Sequence, residues 1–269
     1  MAASSRHRSG ARGMNQTDAK PMRERALLLA VDLDGTFLGG SVDDRRALYD
    51  LIERNRHDIA LVYVTGRDIA FASGVARHGE APTPDMIIGD VGTSVVIGPD
   101  WVPHAEIERW IDEQWPGPDV AARMLTGRPS LAPQRVIGGR RLSYFYANHA
   151  DATKAAAEIE AAGYAALLSA NVYFDVLPLG VNKGATLLRL IAHEALAPER
   201  VLCAGDTMND LSLFETGLRG VAVGNAEPPL REAVAKLDNV YCARRHGAGG
   251  IVEAIEHFDL LPAVTMEFL

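Results

Sequence analysis

Apolar residues along this chain follow two alternating patterns. Leu27–Val31 is a continuous apolar run that stops at Asp32, and Ile59–Val64 is another that stops at Thr65. Short unbroken runs bounded by Asp, Thr and Gly predict strands buried on both faces. Residues 86–88, 201–204, 221–223 and 240–242 repeat the pattern in shorter form, the second of these running into Gly205-Asp206. Between the runs, apolar positions recur at helical spacing. Examples are Ala47, Leu48, Leu51 and Ile52 within 43–56, and Leu187, Leu188, Leu190 and Ile191 within 183–196. Further helices are predicted over 67–78, 229–237 and 250–258, and Ser94–Ile97 as a hairpin partner of 86–88. Buried strands alternating with amphipathic helices predict an α/β core, a doubly wound, Rossmann-like parallel sheet with helices on both faces.

The middle of the chain breaks this rhythm. Pro99, Pro103, Pro116, Pro118, Pro129 and Pro133 interrupt it, with Trp101, Trp110 and Trp115 among them. Short helices are predicted near 104–115 and 119–127, and an aromatic-rich strand over 141–147. An alanine-rich helix over 152–162 is closed by Gly163, and strands follow at Tyr164–Ser169 and 172–177. These elements do not extend the buried parallel pattern. They predict a smaller α+β domain inserted over 99–178, between core segments 26–98 and 179–269. Residues 1–25 carry Arg6, Arg8 and Arg12 and no acid before residue 14, and are read as a disordered tail. A start at Met14 or Met22 accounts for them equally well; a transit peptide would need an apolar stripe that is not there.

Composition narrows the function. A net charge of −8 argues against nucleic acid or an anionic membrane surface as partner, but not against a small anionic substrate at a locally positive site. No apolar run approaches the length of a membrane span. Cys203 and Cys242 lie in apolar runs without metal-ligand spacing, so free thiols in a reducing, cytoplasmic setting are expected.

In open parallel sheets, ligands bind beyond the carboxyl ends of the strands. There the sequence places Asp32-Leu33-Asp34-Gly35-Thr36, Thr65-Gly66-Arg67 and Gly205-Asp206-Thr207-Met208-Asn209-Asp210, and Asn182-Lys183-Gly184 opens a helix. An ionised Asp32 can attack phosphorus only if its repulsion from the phosphate is relieved. Mg2+ does this with hard oxygen ligands, for which Asp32, the backbone carbonyl of Asp34 and Asp206 are candidates. The Asp34 side chain is then free to protonate the leaving alcohol and later deprotonate water. Thr65, Gly66, Lys183 and Asn209 are candidates for holding the phosphoryl group, and Asp210 for holding metal waters or Lys183. Each motif alone has a plainer reading: an acidic turn, a helix cap, a solvated lysine. Their joint order and placement do not.

Together the four motifs resemble the signature of haloacid dehalogenase phosphatases, and the insert between the second and third resembles the α/β cap of the Cof-type branch. The carboxyl-terminal half is similar to sucrose-6-phosphate phosphatases, a family that includes mannosylfructose-phosphate phosphatase. The matching stretches are Asp175-Val176-Leu177-Pro178, Asn182-Lys183-Gly184, Gly205-Asp206, Asn209-Asp210, Leu213-Phe214-Glu215-Thr216, Arg219-Gly220-Val221, Asn225-Ala226 and His257-Phe258-Asp259. Gly35-Thr36-Phe37 and the stretch from Gly89 to Thr93 depart from the usual pattern. The resemblance implies a Mg2+-dependent phosphomonoesterase acting on sucrose 6-phosphate or a related disaccharide phosphate. Mannosylfructose phosphate and mannosyl-3-phosphoglycerate are alternative substrates; a phosphomutase and a non-catalytic sugar-phosphate-binding subunit are alternative functions. It also implies association with a glycosyltransferase synthase, as monomer or dimer. Candidate sugar contacts are Arg67, Tyr144 and Asn171, with Tyr146, Tyr173 and Asn225 behind them.

Overall fold

The computed structural model describes residues 20–136 and 139–261. The first segment of the core runs β1 (Leu27–Val31), α1 (Val42–Arg54), β2 (Ile59–Val64), α2 (Ile69–Arg77), β3 (Met86–Gly89), β4 (Ser94–Ile97), β5 (Val102–Pro103) and α3 (Ala105–Gln114). The insert follows with α4 (Asp119–Leu125), β6 (Leu131–Pro133), β7 (Leu142–Tyr146), α5 (His149–Ala161), β8 (Tyr164–Ser169) and β9 (Tyr173–Pro178). The chain then returns through α6 (Lys183–His193), β10 (Val201–Gly205), α7 (Leu211–Phe214), β11 (Arg219–Ala222), α8 (Pro228–Val234), β12 (Val240–Cys242) and α9 (Ala248–His257).

The larger sheet has the order β12-β11-β10-β1-β2-β3-β4-β5, with β1 at its middle. Strands from β12 to β3 are parallel; β4 and β5 fold back antiparallel at the edge. Every residue of β1 and β2 is buried, which is why their sequences carry no polar alternation. Leu27, Leu29 and Val31 pack with α1, α2 and α9 on one face. Leu28 and Ala30 pack with Ile107, Ile111, Leu187 and Leu190 of α3 and α6 on the other. The fold is that of an α/β core with a smaller α+β cap. No helix among the described residues is long and apolar enough to cross a membrane.

The structure moves two boundaries. The segment 99–114, read with the insert because of its prolines and tryptophans, belongs to the core: β5 pairs with β4, and Ile107 and Ile111 of α3 are buried against the large sheet. Residues 1–19 of the expected tail lie outside the described residues. Lys20 to Arg25 are held to the core, however, because the buried Arg25 guanidinium donates to both oxygens of Asp85 at 2.9 Å.

The cap is a four-stranded antiparallel sheet in the order β6-β7-β9-β8. The edge strand β6 was not expected from the sequence, because Pro129 and Pro133 argue against a strand; Pro133 is tolerated there because an edge strand has a side that needs no donor. One face of the sheet packs on α4 and α5 through Tyr144, Tyr146, Phe174 and Val176. The alternate residues Ser143, Tyr173 and Asp175 face the carboxyl ends of the core strands.

Candidate active site

Asp32 follows the last residue of β1, and its amide still bonds to Ala204 O on β10 at 3.0 Å. The next residues close a tight turn, with Phe37 N donating to Asp32 O at 3.0 Å. Gly35 allows this turn twice over. Its φ is +79°, and a Cβ there would lie 2.2 Å from Asp206 Oδ2. The turn therefore seats the 32–36 segment directly against the end of β10. Asn225 pins it further, donating to Gly35 O at 2.9 Å while accepting from Gly247 N at 2.8 Å.

Lys183 opens α6 and its side chain is fully buried. The ammonium has three protons and three acceptors: Asp210 Oδ1 at 2.6 Å, Asp32 Oδ1 at 2.7 Å and Asn209 Oδ1 at 2.9 Å. The other oxygen of Asp210 accepts from the amides of Asp206 and Thr207, at 2.9 and 3.0 Å. Asp210 thus has both oxygens committed within the protein. Asp206 accepts from Thr36 Oγ1 at 2.9 Å through Oδ1. Among the described residues, Oδ2 of Asp32 has no hydrogen-bond donor.

Burial pushes the Asp32 carboxyl well up, against the pull of Lys183 and with Asp210 and Asp206 adding to the rise. Burial and Asp210 push Asp206 up to about 7, with Thr36 and Lys183 opposing. Burial alone would depress Lys183; Asp210 and Asp32 outweigh it and the ammonium is held charged. One ammonium therefore faces three carboxylates, whose ligand oxygens lie within 4.8 Å of one another. A hard divalent cation fits this excess of negative oxygen donors. With Asp210 already saturated, Asp32 and Asp206 are the carboxylates free to hold it.

Above this cluster lies a cavity of about 320 Å³ between core and cap, reached by Asp32, Asp34, Gly66, Arg67 and Asn209 from below. Arg67 Nε donates to Asp34 Oδ2 at 2.7 Å and Nη2 to Oδ1 at 3.1 Å, and its guanidinium lies 4.6 Å over the Phe71 ring. Thr65 is fully buried; its Oγ1 accepts from Arg67 N at 3.1 Å, leaving the hydroxyl proton to donate. A Cβ at Gly66 would meet nothing nearer than Asn209 Nδ2 at 3.6 Å, so packing does not demand glycine there. From the cap, Arg141 donates to Gly66 O at 2.9 Å and pairs with Asp90 at 3.2 Å, with Asp175 at 3.9 Å. Burial pushes Asp90 up to about 6, with Arg141 opposing and Asp68 adding.

The model of the sucrose-6F-phosphate phosphohydrolase family matches residues 25–259. The chain belongs to this family. As a member of it, the chain is a phosphatase. Over 236 residues it is 42% identical to the glucosylglycerol-phosphate synthase of Pseudomonas anguilliseptica; the match covers 87% of this chain but only 31% of that protein. It is 30% identical to the mannosylfructose-phosphate phosphatase of Agrobacterium fabrum, covering 90% of this chain and 99% of the relative. The sucrose-phosphatase of Synechocystis, solved with sucrose and phosphate, superposes with a TM-score of 0.82 at 29% identity, over 88% of this chain and all of that one. The core fold is that of haloacid dehalogenase-like hydrolases.

In this sucrose-6F-phosphate phosphohydrolase family member, residues singled out from three separate segments meet in one cluster: Asp32, Lys183, Asp206, Asn209 and Asp210. Gly66, Arg67 and Asp34 line the cavity beside it. The expected sugar contacts are corrected in part. Strand alternation puts Tyr144 and Tyr146 on the helix side of β7, in the cap's own core, with Tyr144 against Phe174. Asn171 sits in the β8–β9 turn at φ +53° and does not line the cavity. Asn225 braces the 32–36 turn. Tyr173 does line the cavity. Arg141, Ser143 and Asp90 were not singled out from the sequence. The available signal was a polar Ser143 and Asp175 at alternate positions of otherwise apolar strands.

Proposed function

We propose that this phosphatase hydrolyses the phosphate ester of a disaccharide or a related small glycoside, with sucrose 6-phosphate the leading candidate. Mannosylfructose phosphate, mannosyl-3-phosphoglycerate and glucosylglycerol phosphate are the alternatives of the same class. The observation that supports this reading is the position of Asp32. One oxygen is fixed on buried Lys183, while the other has no hydrogen-bond donor among the described residues and its residue borders the cavity.

In the proposed reaction the Asp32 carboxylate attacks phosphorus and the bond from phosphorus to the sugar oxygen breaks. Asp34 delivers a proton to that oxygen as the sugar leaves. Asp34 then takes a proton from water as the water attacks the aspartyl phosphate, and inorganic phosphate leaves with Asp32 restored. Lys183 and the Thr65 hydroxyl stabilise charge on the phosphoryl oxygens, and the Gly66 and Arg67 loop borders its path. Mg2+, held by Asp32, Asp206 and the Asp34 carbonyl, would neutralise phosphate charge so that an anionic nucleophile can approach. The cap face carrying Ser143, Tyr173 and Asp175 would read the sugar; 320 Å³ is at the small end of the roughly 300–1,000 Å³ usual for small-molecule sites. Association with a glycosyltransferase is proposed on the likeness to part of a synthase alone.

The test is phosphate release, with Mg2+ and with chelator, from the four glycoside phosphates and from simple hexose phosphates. We expect Mg2+-dependent turnover with one glycoside phosphate preferred by at least about 100-fold in kcat/KM. Equal rates on hexose phosphates would remove the glycoside assignment and leave the phosphatase chemistry.

A further inference from the structure

A second cluster of ligating side chains lies at the far end of α6 from Lys183. This helix is eleven residues long, so the two ends are about 15 Å apart. His193 and Glu194 close it, and His104 stands just before α3. Glu194 Oε1 lies 3.2 Å from His193 Nδ1 and 3.5 Å from His104 Nε2. On its other side His193 Nε2 lies 2.5 Å from Glu106 Oε2. The two imidazole rings stand edge to face, with centroids 4.7 Å apart. Among the described residues, neither Glu106 nor Glu194 pairs with a lysine or arginine.

His193 stands between two carboxylates, and a neutral imidazole, with one N–H, can donate to only one of them. With that proton on Nε2 towards Glu106, Nδ1 would turn a lone pair towards Glu194 Oε1, 3.2 Å away, and a cation between them would satisfy both. The spacing suits such an ion. Ligand atoms about 2.0–2.1 Å from a tetrahedral divalent ion stand about 3.3 Å apart, and the two observed separations bracket that value. All three candidate ligand atoms lie within 4.8 Å of one another. Glu106 occupies the place of the carboxylate that commonly holds the outer nitrogen of a metal-bound histidine. His104 is only 4% exposed and its Nδ1 has no partner, so Nε2, facing Glu194, is its one directed contact.

We infer that His104, His193 and Glu194 form a binding site for a divalent cation of the Zn2+ or Co2+ class, with Glu106 orienting His193. Two imidazoles and one carboxylate suit such borderline ions, whereas the all-oxygen cluster at Asp32 and Asp206 suits Mg2+. An ion here ties the start of α3 to the end of α6. Water completes the coordination, since His193 is 39% exposed.

The test uses the full chain, stripped by chelator and returned to excess Mg2+, then titrated with Co2+ or Zn2+. Wild type is expected to take up one equivalent more than His193→Ala, with the visible bands of tetrahedral Co2+ that the variant lacks. Zn2+ is expected to raise the thermal midpoint of wild type and not of the variant. Glu106→Gln is expected to keep the site with affinity lowered roughly 10–100-fold. Phosphate release without added Co2+ or Zn2+ is expected to be the same in wild type and His193→Ala, whose exposed position makes folding safe. Equal uptake and equal spectra in wild type and His193→Ala would overturn the inference. So would no uptake by wild type below about 1 mM Co2+, which would assign the gap to a second ring proton on His193.

Discussion

Arg67 holds the Asp34 carboxylate in a two-point grip, Nε to Oδ2 at 2.7 Å and Nη2 to Oδ1 at 3.1 Å. Both side chains are about half exposed, so the pair adds little to stability, but it fixes where the carboxylate points. Arg67→Ala is expected to lower kcat roughly 10–100-fold with the thermal midpoint nearly unchanged. Arg67→Lys keeps the charge without the fork and should fall between. Steady-state kinetics decide it: unchanged kcat in both variants would mean that Asp34 needs no such restraint.

Lys183→Met removes the one cation from a cluster that keeps Asp32 and Asp210 buried. We expect a loss of about 3–5 kcal/mol in urea unfolding, along with turnover. Adding Asp210→Asn to this variant should recover part of the stability and none of the activity. No recovery would show that the loss is one of packing rather than of charge.

Gly66→Ala separates folding from chemistry. The backbone is not left-handed there and a methyl group fits the protein, so stability should stay within about 1 kcal/mol of wild type. The methyl group occupies space at the cavity floor, and kcat/KM should drop at least about tenfold. A stable variant with full activity would remove Gly66 from the phosphoryl path.

Metal removal and pH act together at Asp206. Its carboxyl, pushed up to about 7, holds a proton that must leave before a cation binds. Mg2+ affinity is therefore expected to weaken as pH falls below about 7, and chelator to lower the thermal midpoint. Asp206→Asn should abolish both effects. Calorimetric titration at several pH values measures them; a pH-independent affinity would contradict the assignment.

Asp90 gives a pH dependence of stability with the opposite origin. Its pKa rises from the ordinary 3.8 to about 6, so between these values the folded chain keeps a proton that the unfolded chain has lost. The stability tied to this group is largest below the unfolded value and falls as pH rises through the folded one. Asp90→Asn lacks that fall. The stability of the variant minus that of wild type should grow by roughly 2–3 kcal/mol between about pH 4 and pH 7, read by urea unfolding.

The core was legible because both of its signals are local. An apolar run such as Leu27–Val31 ending in Asp32 states the strand, its burial and its reactive end in consecutive residues. The cap was harder. Its strands pair antiparallel with one wet face, so what matters is which alternate residues point to the cavity. The choice between Ser143 and Tyr144 turns on a one-residue register that an aromatic run such as Tyr144-Phe145-Tyr146 does not declare. Arg141 was missed for a related reason: its partners Gly66, Asp90 and Asp175 are distant in sequence, and only the closed fold brings them together. Pro133 misled for the opposite reason, since a residue that forbids a central strand is tolerated at an edge.

The alternation in the cap sheet also bears on how such a protein can change. Positions 143, 173 and 175 meet the cavity, while 144, 174 and 176 hold the cap together. Neighbours in sequence thus answer to different selective demands. Under the proposed function, exchanging residues of the first set would alter recognition while leaving the packing of the second in place, and neither set belongs to the Asp32–Lys183 cluster proposed to break the phosphate ester. Recognition can drift while the reaction stays the same.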